Sequence, residues 1–227
     1  MSLAEHYNQL YKTSSEAILN RNYSLDSKIN NRSDSRFGIT FLLRPSEKIK
    51  TNIQLFLKEL KAVEPNQYYY PDSDIHITVM SIISCYESFS LDKINVEDYI
   101  NIIQNSLADL GEIKIEFRGV TASNSAIMIQ GFPSGETLNN LRNKLRENFR
   151  NSTLEQSIDS RYSISTAHST VMRFTEELQN PKELIEVVEQ FRDYTFGEFT
   201  ADKLELVFND WYQRAENTIH LEDFLIN

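Results

Sequence analysis

Two segments of the chain share one pattern: His76-Ile77-Thr78-Val79-Met80 and His168-Ser169-Thr170-Val171-Met172 both read His-x-Thr-Val-Met. An imidazole changes charge near neutral pH, so one ring can take a proton while another gives one. Along an extended chain alternate side chains share a face, which sets Thr78 beside His76 and Thr170 beside His168. Cleavage of a phosphodiester asks for such a quartet. A base must take the proton of the attacking hydroxyl or water, and an acid must protonate the leaving oxygen on the far side of an in-line phosphorus. Fixed donors must steady the oxygens that crowd as phosphorus becomes five-coordinate. Threonine, stiff at its first side-chain torsion, brings such a donor pre-positioned.

One His-x-Thr alone reads more simply as a strand histidine satisfied by its surroundings; the signal is that two of them fall on corresponding strands. His6 and His220 lie near the chain ends without that context. The pattern treats His76 and His168 alike and assigns neither as the base. A zinc site needs a third Cys, His or patterned carboxylate, and only Asp72 and Asp74 are close by, so neither metal nor cofactor is expected.

The elements that must position these residues follow from periodicity. Residues 4–33 read as an amphipathic helix and a polar Asn/Ser-rich connector, an attached segment ahead of the main unit. Residues 38–43 form a short apolar strand ended by Pro45, and Ser46 can cap a helix whose Ile49, Ile53, Phe56, Leu57 and Leu60 recur at helical spacing as far as Pro65. A strand at 75–82 carries His76. Asn95 caps a helix through Tyr99, Ile103 and Leu107 that Gly111 can end, and a strand with Ile113, Ile115 and Phe117 alternating completes β-α-β-α-β. The second half repeats the order at closely similar intervals: strand 126–129, a helix around Leu138, Leu141, Leu145 and Phe149, strand 163–174 with His168, a helix from Asn180-Pro181 through Phe191, and strand 204–208. Trp211-Tyr212 and residues 218–225 add an edge strand or hairpin. The expected fold is α+β and bilobed: a duplicated β-α-β-α-β with an approximate two-fold, two mainly antiparallel sheets facing a central groove, and helices outside. Its expected organisation is an N-terminal helix and connector at 1–35 and a single domain at 36–227, with halves of about 36–120 and 121–227.

Composition bounds the function. A 227-residue chain with 40% hydrophobic residues, 13 Phe and 11 Tyr supplies ample apolar surface for a folded core. A net charge of -10 argues against a broad basic face gripping a long nucleic-acid polymer. No stretch approaches a membrane span, and the polar start lacks the apolar core of a secretory signal, so a cytoplasmic protein without a membrane partner is expected. The single cysteine, Cys85, sits in an apolar run and reads as a buried small hydrophobe.

On the two tetrads, His76-Ile77-Thr78-Val79 and His168-Ser169-Thr170-Val171, residues 36 to about 210 resemble the two-histidine (2H) phosphoesterase superfamily. It includes RNA 2′,3′-cyclic phosphodiesterases and the enzymes known as 2′-5′ RNA ligases. The resemblance implies a bilobed hydrolase with both tetrads lining one cleft, His76 and His168 as acid and base, Thr78 and Thr170 holding phosphate, and no metal. The long N-terminal segment and the acidic chain depart from that pattern and shift the expected substrate towards a small nucleotide or an RNA-end phosphate, bound by a monomer. Arg173, five residues after His168, matches a basic residue several members carry, yet strand parity turns it away from His168 unless the strand twists or ends there. Its plainer reading is a surface or lobe-bridging arginine. Tyr70, among Tyr68 to Tyr70, with Tyr162 and Trp211, could stack on a base, although such aromatics are more often core. Two other classes remain open: a nucleotide-binding module without turnover, and a metabolite enzyme for an unphosphorylated substrate on the same scaffold.

Overall fold

The computed structural model describes residues 1–31 and 33–226. Its strands form two antiparallel sheets. One has four strands, ordered β3 (Ile77–Glu87), β1 (Arg36–Leu43), β8 (Lys203–Asp210) and β9 (Ile219–Leu225). The other has five, ordered β2 (Tyr68–Tyr69), β6 (Ser169–Arg173), β5 (Ala126–Pro133), β4 (Lys114–Ala122) and β7 (Thr195–Thr200). The α+β architecture expected from periodicity is therefore present, and β9 is the edge strand expected for the last segment.

The duplication is visible in the strand order. β3, β1, β8 and β9 of one sheet correspond to β6, β5, β4 and β7 of the other, so the third strand of each sequence half crosses to the sheet of its counterpart. The segments 36–120 and 121–227 thus do not each build a sheet of their own. This exchange ties the halves together: β1 pairs with β8 along its length, and β5 pairs with β4.

Each sheet is apolar on the side its helices cover. α2 (Glu47–Val63) buries Ile49, Ile53, Phe56, Leu57 and Leu60 and lies with α5 (Pro181–Gln190) over the five-stranded sheet. α3 (Val96–Ser106) and α4 (Thr137–Arg150) cover the four-stranded one, α4 through Leu138, Leu141, Leu145 and Phe149. One continuous core cluster joins both layers. The opening helix α1 (Leu3–Leu19), started by a Ser2/Glu5 capping box, buries Tyr7 and Ile18 and lies against β4 and α5. The connector after it is held by Ser24 N–H donating to the Asn124 carbonyl and Asp26 N–H to that of Phe174.

Some boundaries differ from the periodicity. The strand expected over 163–174 is shortened to β6, and the segment ahead of it meets the open edge of β3 around Ser157 and Arg161. There Ser157 N–H donates to the Ile82 carbonyl, the Ser157 hydroxyl accepts from Ser84 N–H, and Arg161 donates to the Cys85 carbonyl. This meets the backbone needs of an edge strand by means other than a ladder. The short β2 and the edge strand β7 had no clear period of their own.

Candidate functional site

His76 and His168 each stand one residue before corresponding strands, β3 and β6. Both rings are half-buried, as are Thr78 and Thr170 beyond them. The surroundings of each ring repeat. His76 Nδ1–H donates to the carbonyl of Asp74 at 2.7 Å, and His168 Nδ1 bonds the hydroxyl of Thr166 at 2.7 Å. In both cases the partner lies two residues upstream on the same face, which leaves Nε2 as the free nitrogen of each ring. Among the described residues, neither the Thr78 nor the Thr170 hydroxyl has a protein hydrogen-bond partner.

The backbone repeats as well. β1 pairs Phe41 with Met80 and Leu42 with Thr78, so Val79 is an extra residue; β5 pairs Ile127 with Met172 and Met128 with Thr170, so Val171 is one too. Each tetrad therefore carries a β-bulge at its valine, and a bulge reverses side-chain parity beyond it. Simple alternation would point Arg173 away from His168; the bulge at Val171 returns it to the face of Thr170. The counterpart of Arg173 after the first tetrad is Ser81, brought round by the bulge at Val79.

Arg173 is held rather than loose. Its Nε donates to the Tyr70 hydroxyl at 2.8 Å and its Nη1 pairs with Asp26 at 3.2 Å, while Asp26 also accepts from Tyr212 at 2.6 Å. Tyr70 is only 1% exposed, so it offers no face to a base and acts instead on the arginine. Trp211 is half-buried, with the guanidinium carbons of Arg36 and Arg161 4.7 and 4.3 Å from its ring centroid. Tyr162 stands out in solvent. Cys85 is buried, and burial pushes its thiol up to about 12, so it supplies no nucleophile at neutral pH.

Arg142 of α4 links the first tetrad to the segment just ahead of the second. Its Nε donates to the Val79 carbonyl at 3.0 Å and its Nη2 to the carbonyls of Thr78 at 3.0 Å and Thr166 at 2.8 Å. Burial lowers this guanidinium to about 10, which still leaves it charged. Among the described residues no carboxylate pairs with it, and its Nη1 has no partner. Sequence reasoning missed Arg142, although a charged residue four after Leu138 on the buried stripe of α4 is an interruption worth reading. It also missed Thr166, which the period-two spacing before His168 could have flagged, and Asp26, for which the connector offers no signal.

Burial pushes both imidazoles down to about 4, and arginines add to this: Arg44 and Arg173 at His76, and Arg142 and Arg173 at His168. The Asp74 carbonyl opposes the shift at His76. Arg44 is paired with Glu205 and Arg173 with Asp26, while Arg142 has no carboxylate partner among the described residues. Neutral rings amid arginines suit an anionic guest, which would in turn favour the protonated form of either ring. Among the described residues no group of three His, Cys, Asp or Glu side chains could hold a metal ion, and no helix is long and apolar enough to cross a membrane.

No family model matches the chain, and no curated protein matches its sequence. Solved structures do match. The Thermus thermophilus protein TT0787 is 15% identical over 82% of this chain and 96% of its own, with a TM-score of 0.57. A protein described as a phosphoesterase is 12% identical over 84% of this chain and 98% of its own, also at 0.57. E. coli LigT, solved with 3′-AMP, is 11% identical over 84% and 98%, at 0.56. At such identities the likeness lies in the fold, and the fold of this chain is the one that LigT and these structures share. The α+β scaffold expected from the repeated element order is thus found in solved structures at 11–15% identity.

Proposed function

We propose that this protein is a two-histidine phosphodiesterase that hydrolyses a 2′,3′-cyclic nucleotide, or a related small nucleotide or RNA-end phosphodiester, without a metal. The observation that carries the reading is the duplicated tetrad: two imidazoles in matching backbone settings, each tied at Nδ1 and free at Nε2, each with a threonine hydroxyl beside it. One Nε2 takes the proton of the attacking water while the other gives a proton to the departing ribose oxygen, and each turnover exchanges their states. Thr78, Thr170 and the braced guanidinium of Arg173 hold the nonbridging oxygens, where charge and crowding grow in the five-coordinate transition state. The 3′-AMP bound to LigT is a ribose phosphomonoester of the kind that opening a 2′,3′-cyclic phosphate leaves, which favours this substrate class. Trp211 and Tyr162 are the aromatics left to meet a base.

The test is turnover of the four nucleoside 2′,3′-cyclic phosphates by the wild type and by His76→Ala, with product analysis. Turnover that persists in EDTA, follows a bell-shaped pH profile and is lost in the variant is expected. Binding of these nucleotides without any product would reduce the protein to a nucleotide-binding module.

A further inference from the structure

The connector after α1 reaches Arg173, although its Asn- and Ser-rich composition carries no chemical signature. It is pinned at several points: Ser24 N–H donates to the Asn124 carbonyl and Asp26 N–H to that of Phe174, both at 2.7 Å, the Tyr23 hydroxyl accepts from Leu178 N–H at 2.8 Å, and the carbonyl of buried Ile29 accepts from Arg214 at 3.0 Å. The bond to Phe174 sets Asp26 beside the residue after Arg173, and its carboxylate then serves both sheets. Oδ2 accepts from Arg173 Nη1, at the end of β6, at 3.2 Å; Oδ1 accepts from the hydroxyl of Tyr212, two residues past β8, at 2.6 Å. Tyr212 is 1% exposed, and its oxygen accepts in turn from Arg36 at 3.2 Å. Asp34 of the same connector holds that arginine through both carboxylate oxygens, at 2.8 and 2.6 Å.

We propose that Asp26 is a positioning residue for Arg173, and through it for the phosphate of the substrate. A guanidinium carries its five N–H donors in one rigid plane, so two anchored nitrogens determine where the third lies. Nε is anchored on the Tyr70 hydroxyl at 2.8 Å and Nη1 on Asp26, while among the described residues Nη2 has no protein hydrogen-bond partner. The bulge at Val171 puts Arg173 on the face of Thr170, so Nη2 is the nitrogen left to meet a nonbridging oxygen. Tyr70 alone would anchor one nitrogen and leave the plane free to turn about it. Among the described residues Asp26 is the carboxylate paired with Arg173, since Asp34 is committed to Arg36 and Asp210 to Arg214. A second anchor, in place before substrate arrives, spares the arginine the loss of freedom that holding a phosphate would otherwise demand. The carboxylate also offsets part of the guanidinium charge, so it contributes aim and not affinity. Its removal should therefore leave ground-state binding no weaker and slow the chemical step.

The catalytic consequence rests on the phosphodiesterase reading, whereas the brace does not, and two measurements keep them apart. Side-chain NMR of the full-length ¹⁵N-labelled chain follows the Arg173 Nε and Nη signals, assigned by their loss in Arg173→Ala. Turnover of a nucleoside 2′,3′-cyclic phosphate is measured for the wild type, Asp26→Asn, Tyr212→Phe, Arg173→Ala and the double variant Asp26→Asn/Arg173→Ala. Asp26→Asn keeps the shape of the side chain but offers one acceptor oxygen to two donors. Expected are Arg173 Nη protons that are resolved in the wild type and averaged by rotation in Asp26→Asn, with kcat down about three- to tenfold, the worth of pre-ordering one long side chain, and KM unchanged or lower. Tyr212→Phe, which frees one carboxylate oxygen and keeps the ring in its packing, should give a smaller loss in the same direction. In the Arg173→Ala background Asp26→Asn should cost nothing further, whereas a merely structural role would cost the same there. Unchanged Arg173 signals in Asp26→Asn, a loss carried wholly by KM, or an equal loss in the double variant would overturn the proposal. If the wild type turns over no phosphodiester while the signals move as described, the brace stands and the phosphodiesterase reading falls.

Discussion

The two tetrads agree in backbone and differ in what surrounds it. Both histidines precede a strand, both are tied at Nδ1 two residues upstream, and both strands bulge at the valine. Beyond that they part. The His76 side ends on a carbonyl, carries Ser81 after its bulge, and sits on the open edge of its sheet, where Arg142 meets the Val79 carbonyl. The His168 side ends on a hydroxyl, carries Arg173, and has β2 beyond it, where Tyr70 N–H meets the Val171 carbonyl. A shared backbone delivers two equivalent imidazoles, while the residues around them differ, and on the proposed reading it is those residues that decide which side holds the anion. Duplicated geometry and divided chemistry are separable, and substitutions can separate them.

The largest effect should fall on what the sides share. His76→Ala and His168→Ala are each expected to lower kcat by about two to four powers of ten, and the double variant should lose little more than the worse single one, because acid and base work as a unit. Additive losses, measured with one cyclic phosphate, would mean that the rings act independently. Next in size is the residue that joins the sides. Arg142→Met leaves the carbonyls of Thr78, Val79 and Thr166 buried without their donor, and a loss of about 2–4 kcal/mol in denaturant unfolding is expected, with activity reduced at both histidines. The comparison itself is tested at the position after the bulge. Arg173→Ala should cost about ten- to a hundredfold in kcat/KM, the value of a charge-assisted contact, with Arg173→Lys a poor substitute, whereas Ser81→Ala should change little. Equal effects at the two positions would make the sides chemically alike after all.

How much of this the sequence carried depends on the range of the interaction. Helical stripes such as Ile49, Ile53, Phe56 and Leu60, and the repeated element order, are local signals, and they led to the right architecture. The spacing of His76 and Thr78 needed only the pleat. Alternation misled at Arg173, since a bulge is a property of two strands in register and leaves no mark in one of them. The exchange of third strands was hidden for the same reason: β4 and β8 read identically whichever sheet they join. Tyr70 looked like a stacking surface because aromatic type says nothing of exposure. Asp26 reaches Arg173 across more than a hundred residues of chain, a distance over which no pattern in the sequence operates.

The smallest effect concerns the protons. Both rings lie at about 4, below the ordinary value near 6.5, so between these values the unfolded chain binds protons that the folded one refuses. Stability from these groups is therefore complete above about pH 6.5, falls as the pH drops towards 4, and levels off below it. The melting temperature should follow that course, and His76→Gln or His168→Gln should each flatten it by removing one ring's share. At pH 7 a ring with a pKa near 4 carries its proton in only about one molecule in a thousand, which would leave an acid catalyst almost empty. A phosphate in the groove changes this, because its charge offsets that of Arg44, Arg142 and Arg173 and favours the imidazolium. Binding of a nucleoside monophosphate near pH 6 should then take up protons, measurable by calorimetry in buffers of different ionisation enthalpy. Uptake that vanishes in one histidine variant and persists in the other would mark the vanished ring as the one that arms itself as the acid when substrate arrives.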